Sequence, residues 1–483
     1  TLVFGSELKA LQMHPDFKAA IQPEALQLYL THGYVCAPRT IYHNVWAVLP
    51  GHRMILTLET LESGSNLAAA MEPYWHHWRV IEEARLKTPP RTDAEAVEDF
   101  ENLLSRCVKE RMISDVPLGA FLSGGIDSSA VVALMQRNAA RPVKTYTVGF
   151  QEDGFDEAAH AKAVAAHLGT DHHEMVVTGQ NALDVIPLLP EIYDEPFADI
   201  SAIPTYLVSK FARESVTVAL SGDGGDEMLG GYTRRINGAG LWRKVKMIPA
   251  PLRPIVGAAI RSIPVERWDA WRRSQPQFGS QIHKAAALLR AKTPEDLYQR
   301  LIRVWDKAPL LKTQPVQTIL QDGQYQPHGL GLAEAMMYWD ALSWLPNDIL
   351  VKVDRASMAV GLEARAPLLD KRIYEYVWQL PERYKIRDGQ GKWLLRQVLK
   401  NHVPETLFER PKQGFNIPVG AWLRGSLKDW AEALLDETAL GHTGLLDPAP
   451  IRKAWQAHLG GQGNHANALW TVLMFQAWQK RWM

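Results

Sequence analysis

The chain has 483 residues, too many for one compact core when domains run to roughly 100–200 residues, so two or three units are expected. Its 53 Lys and Arg balance 53 Asp and Glu, which excludes a global field for nucleic acid or an anionic membrane; any anion must be held by a local site. Cys36 and Cys107 form no CxxC pair, which argues against a disulfide framework or a thiolate zinc site and suits a reducing cytoplasm. No apolar segment approaches the roughly 18 residues that span a bilayer, and the N-terminus lacks the build of a signal peptide. A soluble, cytoplasmic protein is expected. The start at Thr1, without Met and inside a strand-like run, reads as a truncated or processed product; an N-terminal threonine nucleophile has nothing else in the sequence to support it.

Residues 1–88 are mixed: "TLVFGSELKAL", then "YVCAPRTIYHNVWAVLPGH", then an alternating "RMILTLETLES" that suggests a hairpin or edge strand. Pro89-Pro90 and "RTDAEA" mark a junction, so a second unit is expected over 89–483. It opens on a helix whose apolar residues Phe100, Leu103, Leu104, Cys107, Val108 and Met112 recur at three- and four-residue steps. The chain then alternates strand and helix: "VPLGAFLS", "DSSAVVALMQRN", "VKTYTVGF", "EAAHAKAVAAHLG", "HEMVV", "IPTYLVSKFARE" and "SVTVALSGDGGDE". That order predicts a doubly wound parallel α/β sheet over about 95–240, with ligands at the carboxyl ends of its strands, where Ser123 and Ser221 fall. From about 241 to 483 the pattern is helical and Trp-rich, with a polar break at "GGQGNHAN".

Two glycine turns carry the chemistry. In "GAFLSGGIDSS", Gly124 and Gly125 expose backbone N–H groups while the helix starting near Asp127 points its positive end at the same spot; Ser123, Ser128 and Ser129 add hydroxyls. This makes a phosphate cradle with neither the Walker nor the G-x-G-x-x-G spacing. Asp127 would repel a bare phosphate, so a bridging cation is implied, Mg²⁺ being the natural choice for oxygen ligands. The second turn, Ser221-Gly222-Asp223-Gly224-Gly225-Asp226-Glu227, repeats the arrangement with three carboxylates that can complete a metal shell or act as a base.

"SGGIDSS" resembles the pyrophosphate-loop signature of enzymes that split ATP into AMP and pyrophosphate. Together with "TYTVGF", "HLGTDHHE", "YDEPFAD", "SAIPTYLVSK", "VALSGDGGDE", "LPNDILVKVDRASMAVGLEARAPLLD", "GKWLLR" and "PKQGF", it is similar to the synthetase domain of glutamine-hydrolysing asparagine synthetases over about 95–425. Residues 1–88 look like the tail of that family's glutaminase domain and its connection onward. The resemblance implies that Ser123, Gly124, Gly125, Asp127, Ser128 and Ser129 hold the ATP phosphates, that Val148 lies against the adenine, and that Ser221 and Gly222 close over the nucleoside. It gives Asp127 and Asp226 a shared Mg²⁺, Lys392 the stabilisation of the adenylation transition state, and Arg355 and Glu363 a place lining the acceptor pocket. Asp223 stands where the family commonly has Glu, one methylene shorter, as base or amine-orienting group. The family's glutaminase cysteine at the mature N-terminus has no counterpart here, so free ammonia is the expected nitrogen source for this chain and glutamine for an intact enzyme.

The expected function is ATP-dependent amidation of L-aspartate through an acyl-adenylate. A uronic acid or other carboxylate of a surface polysaccharide is the rival acceptor, a non-catalytic nucleotide-binding scaffold is the rival of another class, and a tRNA-modifying relative is disfavoured by the neutral charge. The partners expected are small molecules, with a homodimer left open. His76-His77 and His172-His173 read as structural, as does the Trp-rich tail over 470–482; Asp194-Glu195 leave a role in pyrophosphate or acceptor handling open. The stretch 242–273, with eight Lys/Arg against Glu266 and Asp269 and three interleaved tryptophans, reads as a solvated helical face, with contact to an anionic lipid or charged glycan as the alternative.

Overall fold

The computed structural model describes residues 2–59, 70–90, 92–150, 158–272, 278–410, 417–463 and 465–483. After helix α1 (Pro23–His32), strands β1 (His52–Met54) and β2 (Met71–Pro73) form an antiparallel pair. Of the alternating run expected to form a hairpin or edge strand, Arg53 and Met54 lie in this pair; its last part, 60–63, falls outside the described residues. Just past the Pro89-Pro90 junction, α2 (Asp93–Arg111) begins on a capping box in which Glu95 N donates to Thr92 Oγ1 at 3.2 Å and Thr92 N donates to Glu95 Oε2 at 3.0 Å. It buries Phe100, Leu104, Cys107 and Val108, the face its periodicity predicts. Cys36 and Cys107 are free, buried thiols, pushed up to about 12 and about 11 chiefly by burial.

The chain then runs through β3 (Leu118–Phe121), α3 (Ile126–Asn138), β4 (Lys144–Phe150), α4 (Ala158–Leu168), β5 (Asp171–Val177), α5 (Ala202–Arg213) and β6 (Val218–Leu220). A fifth strand, β7 (Glu363–Arg365), joins from far along the sequence. The sheet order is β5-β4-β3-β6-β7, and every neighbouring pair is parallel. The winding moves outward from β3 through β4 to β5, then returns past β3 to β6 and β7. That reversal leaves a crevice between the carboxyl ends of β3 and β6, where neighbouring connections leave on opposite faces.

Side-chain alternation assigns the sheet to two cores. Ala120, Leu122 and Leu220 pack with α2, α3 and α4, whereas Tyr146, Val148, Phe150 and Ala219 pack with α5. The second core also takes in the C-terminal helix α6 (Ala466–Trp482), whose Trp470, Phe475 and Trp478 are buried as packing residues. Among the described residues no helix is long and apolar enough to cross a membrane.

The N-terminal segment shares that second core. Leu26, Tyr29 and Leu30 of α1 pack into it, and Tyr29 Oη donates to the Thr471 carbonyl at 2.7 Å. Asp194 and Glu195 brace the same segment: Asp194 accepts from Leu8 N at 3.0 Å and pairs with Lys9 at 3.3 Å, while Glu195 accepts from Ile41 N at 3.0 Å. These acids are therefore anchors of the first forty residues, and the role in pyrophosphate or acceptor handling left open above is set aside.

Backbone packs directly on backbone at the crevice. A Cβ on Gly222 would lie 2.7 Å from Ser128 N and 2.8 Å from the Asp127 carbonyl carbon, so only glycine lets the β6 turn sit on the first turn of α3. Gly222→Ala is accordingly expected to destabilise the protein by about 1–3 kcal/mol, read as a lower urea midpoint. For Glu195, burial raises the carboxyl pKa from 4.5 to about 7, against the lowering by Ile41 N–H and Arg355. The folded state then holds the proton more tightly, so stability falls as pH rises from about 4.5 to about 7 and stays lower above. Glu195→Gln should remove that slope and stabilise the protein at pH 8 by about 2 kcal/mol, allowing for partial exposure; chemical denaturation across this pH range measures it.

Candidate active site

A cavity of about 980 Å³ opens over the β3/β6 crevice. Ser123, Gly125, Asp127, Ser128, Val148, Ser221, Gly222, Asp223, Asp226 and Lys392 all line it, so most of the residues singled out from sequence converge there. Gly124 and Ser129 stand one layer behind: Gly124 turns the chain at φ +68° against α4, and Ser129 is fully buried.

The first turn is held in shape by its own hydroxyls. Ser123 N donates to Ser128 Oγ at 3.2 Å, Gly125 N donates to Ser123 Oγ at 3.3 Å, and the two hydroxyls lie 3.0 Å apart. Gly125 caps α3 without a side-chain acceptor, so the first-turn N–H groups and the positive helix end are directed at the cavity. Arg410 bonds the Ser123 carbonyl at 3.3 Å and adds a cation at this rim; the neighbouring block 411–415 lies outside the described residues.

Lys392 joins the two turns. Its backbone is left-handed, φ +62°, and its N–H donates to the Leu229 carbonyl at 2.8 Å, which fixes the side chain under both loops. Nζ bonds Asp127 Oδ2 and reaches Asp226 Oδ1 at 2.7 Å. Burial favours the neutral amine, but the two carboxylates outweigh it and hold the Lys392 pKa above that of an ordinary lysine. Two acids that touch one ammonium are close enough to touch one metal ion. Among the described residues no group of three or more His, Cys, Asp or Glu side chains is arranged to hold a metal alone. The pair fits Mg²⁺, which is commonly held by one or two carboxylates with phosphate oxygens filling the remaining positions. Asp223 stands beside them, its pKa raised first by burial and then by Asp226, a setting suited to proton acceptance.

The far end of the cavity was not legible beforehand. Residues 340–349 form a π-helical segment with Pro346 inside it, and this wider turn presents Asp348 to the cavity. Asp348 is only 2% exposed, its Oδ1 has no hydrogen-bond partner, and burial followed by Asp199 holds its pKa well above the carboxylate range. Lys352, one helical turn on, pairs with Asp199 and bonds Ser201 Oγ, both at 2.9 Å. Arg234 pairs with Asp340 at 2.9 Å and lies over the Tyr232 and Trp344 rings, while Tyr232 Oη donates to Glu227 at 2.6 Å. His32, the last residue of α1, also reaches the cavity; burial and then Arg303 push its pKa down to about 4. The acid–base spacing Asp348–Lys352 on one helical face was the available sequence signal.

Two expectations need correction. Arg355 does not line the cavity: it faces the N-terminal segment, pairing with Glu7 at 2.8 Å and the Ser6 carbonyl at 3.1 Å. Glu363 begins edge strand β7, opposite Val218 at the amino end of the sheet, with its side chain 56% exposed and paired with Arg365 at 2.7 Å. A parallel strand keeps its first residue away from the ligand end. The histidine pairs are structural: His77 bonds Tyr374 Oη at 3.0 Å, His76 stacks on Tyr325, His172 bonds Thr145 at 2.9 Å, and His173 stacks on Tyr146.

The sequence profile described as asparagine synthase matches residues 99–480, and that of a glutamine amidotransferase domain matches residues 1–75. A Mycobacterium tuberculosis protein provisionally named a glutamine-hydrolysing asparagine synthetase is 32% identical over 470 residues, 96% of this chain and 68% of that protein. Bacillus subtilis glutamine-hydrolysing asparagine synthetase 1 is 29% identical over 493 residues, 99% and 73% of the two chains. The human glutamine-hydrolysing asparagine synthetase is 25% identical over 463 residues, 89% and 65%. With a profile match over most of its length falling on the very turns that build this cavity, the chain belongs to the asparagine synthase family of carbon–nitrogen ligases.

Proposed function

We propose that this protein activates the side-chain carboxylate of L-aspartate with ATP and amidates it, producing asparagine, AMP and pyrophosphate. The observation that carries this reading is the meeting of Asp127 and Asp226 on Lys392 Nζ above a phosphate-cradling turn. A carboxylate is too poor an electrophile to be amidated directly. Its oxygen attacks the α-phosphorus, the bond to the β-phosphoryl group breaks, and pyrophosphate leaves. The α3 N–H groups, Ser123, Ser128 and Lys392 are placed beforehand where negative charge grows, and one such donor is typically worth about 3–4 kcal/mol. Mg²⁺ held by Asp127 and Asp226 would supply further charge neutralisation on the phosphates. Ammonia then attacks the acyl carbon, AMP leaves with the carboxylate oxygen, and Asp223 accepts the surplus proton. Val148 walls the adenine side. The amidotransferase match over residues 1–75 supports glutamine as the nitrogen donor, with free ammonia as its substitute in the assay.

The acceptor end favours an amino acid over a uronic acid. The buried Asp348 carboxyl supports this reading, because its orphan Oδ1 suits an ammonium, which a sugar acid lacks. The test supplies ATP, Mg²⁺, ammonia and a panel of aspartate, glutamate and a uronic acid, and measures pyrophosphate. Aspartate-dependent release that vanishes in Asp127→Ala is expected; ADP with phosphate would overturn the mechanism, and release with the sugar acid alone would replace the acceptor. Lys392→Met should lower kcat/KM roughly 10²–10³-fold. Asp348→Asn should raise KM for aspartate about tenfold or more and leave KM for ATP unchanged, as steady-state kinetics would show.

A further inference from the structure

Residues 242–272 carry seven Lys/Arg against two acids, Glu266 and Asp269, although the total charge of the chain is zero. The structure folds this stretch into the end of helix Thr233–Met247 and the helices Arg253–Ser262 and Val265–Trp271; the last two pack on Phe278–Leu288. Arg243, Lys244, Lys246, Arg267 and Arg272 are exposed. Large apolar side chains are exposed among them: Met247 81%, Ile255 64% and Trp271 75%, with Leu252 and Ile263 alongside. Helix Arg253–Ser262 turns Ile255, Ala258 and Ala259 outward, so an apolar stripe is rimmed by cations. Trp242 lies 6.0 Å from both Lys246 Nζ and the Arg253 guanidinium, which ties the two helices together.

From this juxtaposition we infer that the helical face built by residues 242–272 docks on an anionic lipid surface. Cations alone would suit any polyanion. Exposed Met, Leu and Ile gain nothing from a solvated glycan or nucleic acid, but they gain by entering the boundary between headgroups and acyl chains, to a depth of about 5–10 Å. Each Lys or Arg near an anionic membrane adds attraction, so the five exposed cations and the apolar stripe together supply an electrostatic and an apolar contribution to peripheral binding. A second copy of the same face is disfavoured, because an isologous contact would oppose cation to cation. The first turn of Thr233–Met247 contributes Thr233, Arg234 and Ile236 to the cavity wall, so docking would hold the cavity close to the membrane. None of this depends on the acceptor reading above.

The test co-sediments the full chain with vesicles of phosphatidylglycerol and phosphatidylcholine, or of phosphatidylcholine alone, at low and high salt. Binding to the anionic vesicles that weakens at high salt is expected, with at least a tenfold loss of affinity in Lys244→Glu/Lys246→Glu and also in Met247→Ser/Ile255→Ser. Both double variants should retain ATP-dependent pyrophosphate release in solution, which checks their folding. No binding to anionic vesicles, equal binding to neutral ones, or binding indifferent to either double variant would overturn the inference. So would self-association without vesicles that Met247→Ser/Ile255→Ser abolishes, since the face would then belong to a second copy.

Discussion

The Lys392 ammonium between Asp127 and Asp226 is the contact on which the site depends. It joins three stretches far apart in sequence: the turn after β3, the turn after β6, and the start of the helix Trp393–Lys400. Two half-buried carboxylates side by side repel each other, and the ammonium between them offsets that repulsion. The lysine therefore holds the two loops at a separation that also suits a divalent ion, and it remains within reach of any phosphate placed above them.

The parallel sheet makes that meeting achievable. Because β3 and β6 are neighbours at the point where winding reverses, their carboxyl ends open side by side and the helices that follow diverge. The close fit of Gly222 on the α3 backbone then leaves the loops little freedom to separate. Around this centre the N-terminal segment is an integral wall. It shares a core with α6, is tied by Asp194, Glu195 and Arg355, and delivers His32 to the cavity.

Much of the nucleotide side was legible from local pattern, because there the chemistry lies in contiguous turns: glycines beside acids and hydroxyls at the end of an apolar run. The acceptor side was not. Asp199, Arg234 and the Asp348–Lys352 pair come from three separate parts of the chain, and a π-helical segment around Pro346 decides which way Asp348 faces. Arg355 and Glu363 belong to the same sequence block as Asp348 and Lys352, yet helix phase sends Arg355 toward Glu7, and Glu363 sits at the amino end of a strand. Proximity in sequence to a functional block says little about direction when one turn of helix reverses the face.

By itself the sequence determined the alternating strand and helix order, the two acid-bearing glycine turns and the family, since each is written in residues only a few positions apart. Tertiary structure alone decided that β7 completes the sheet, that Asp194 and Glu195 are anchors, and that Lys392 lies under both turns. The reason is physical: a turn or a helix is specified by local backbone preference and spacing, whereas a pairing across hundreds of residues depends on how whole elements pack, which no local pattern encodes.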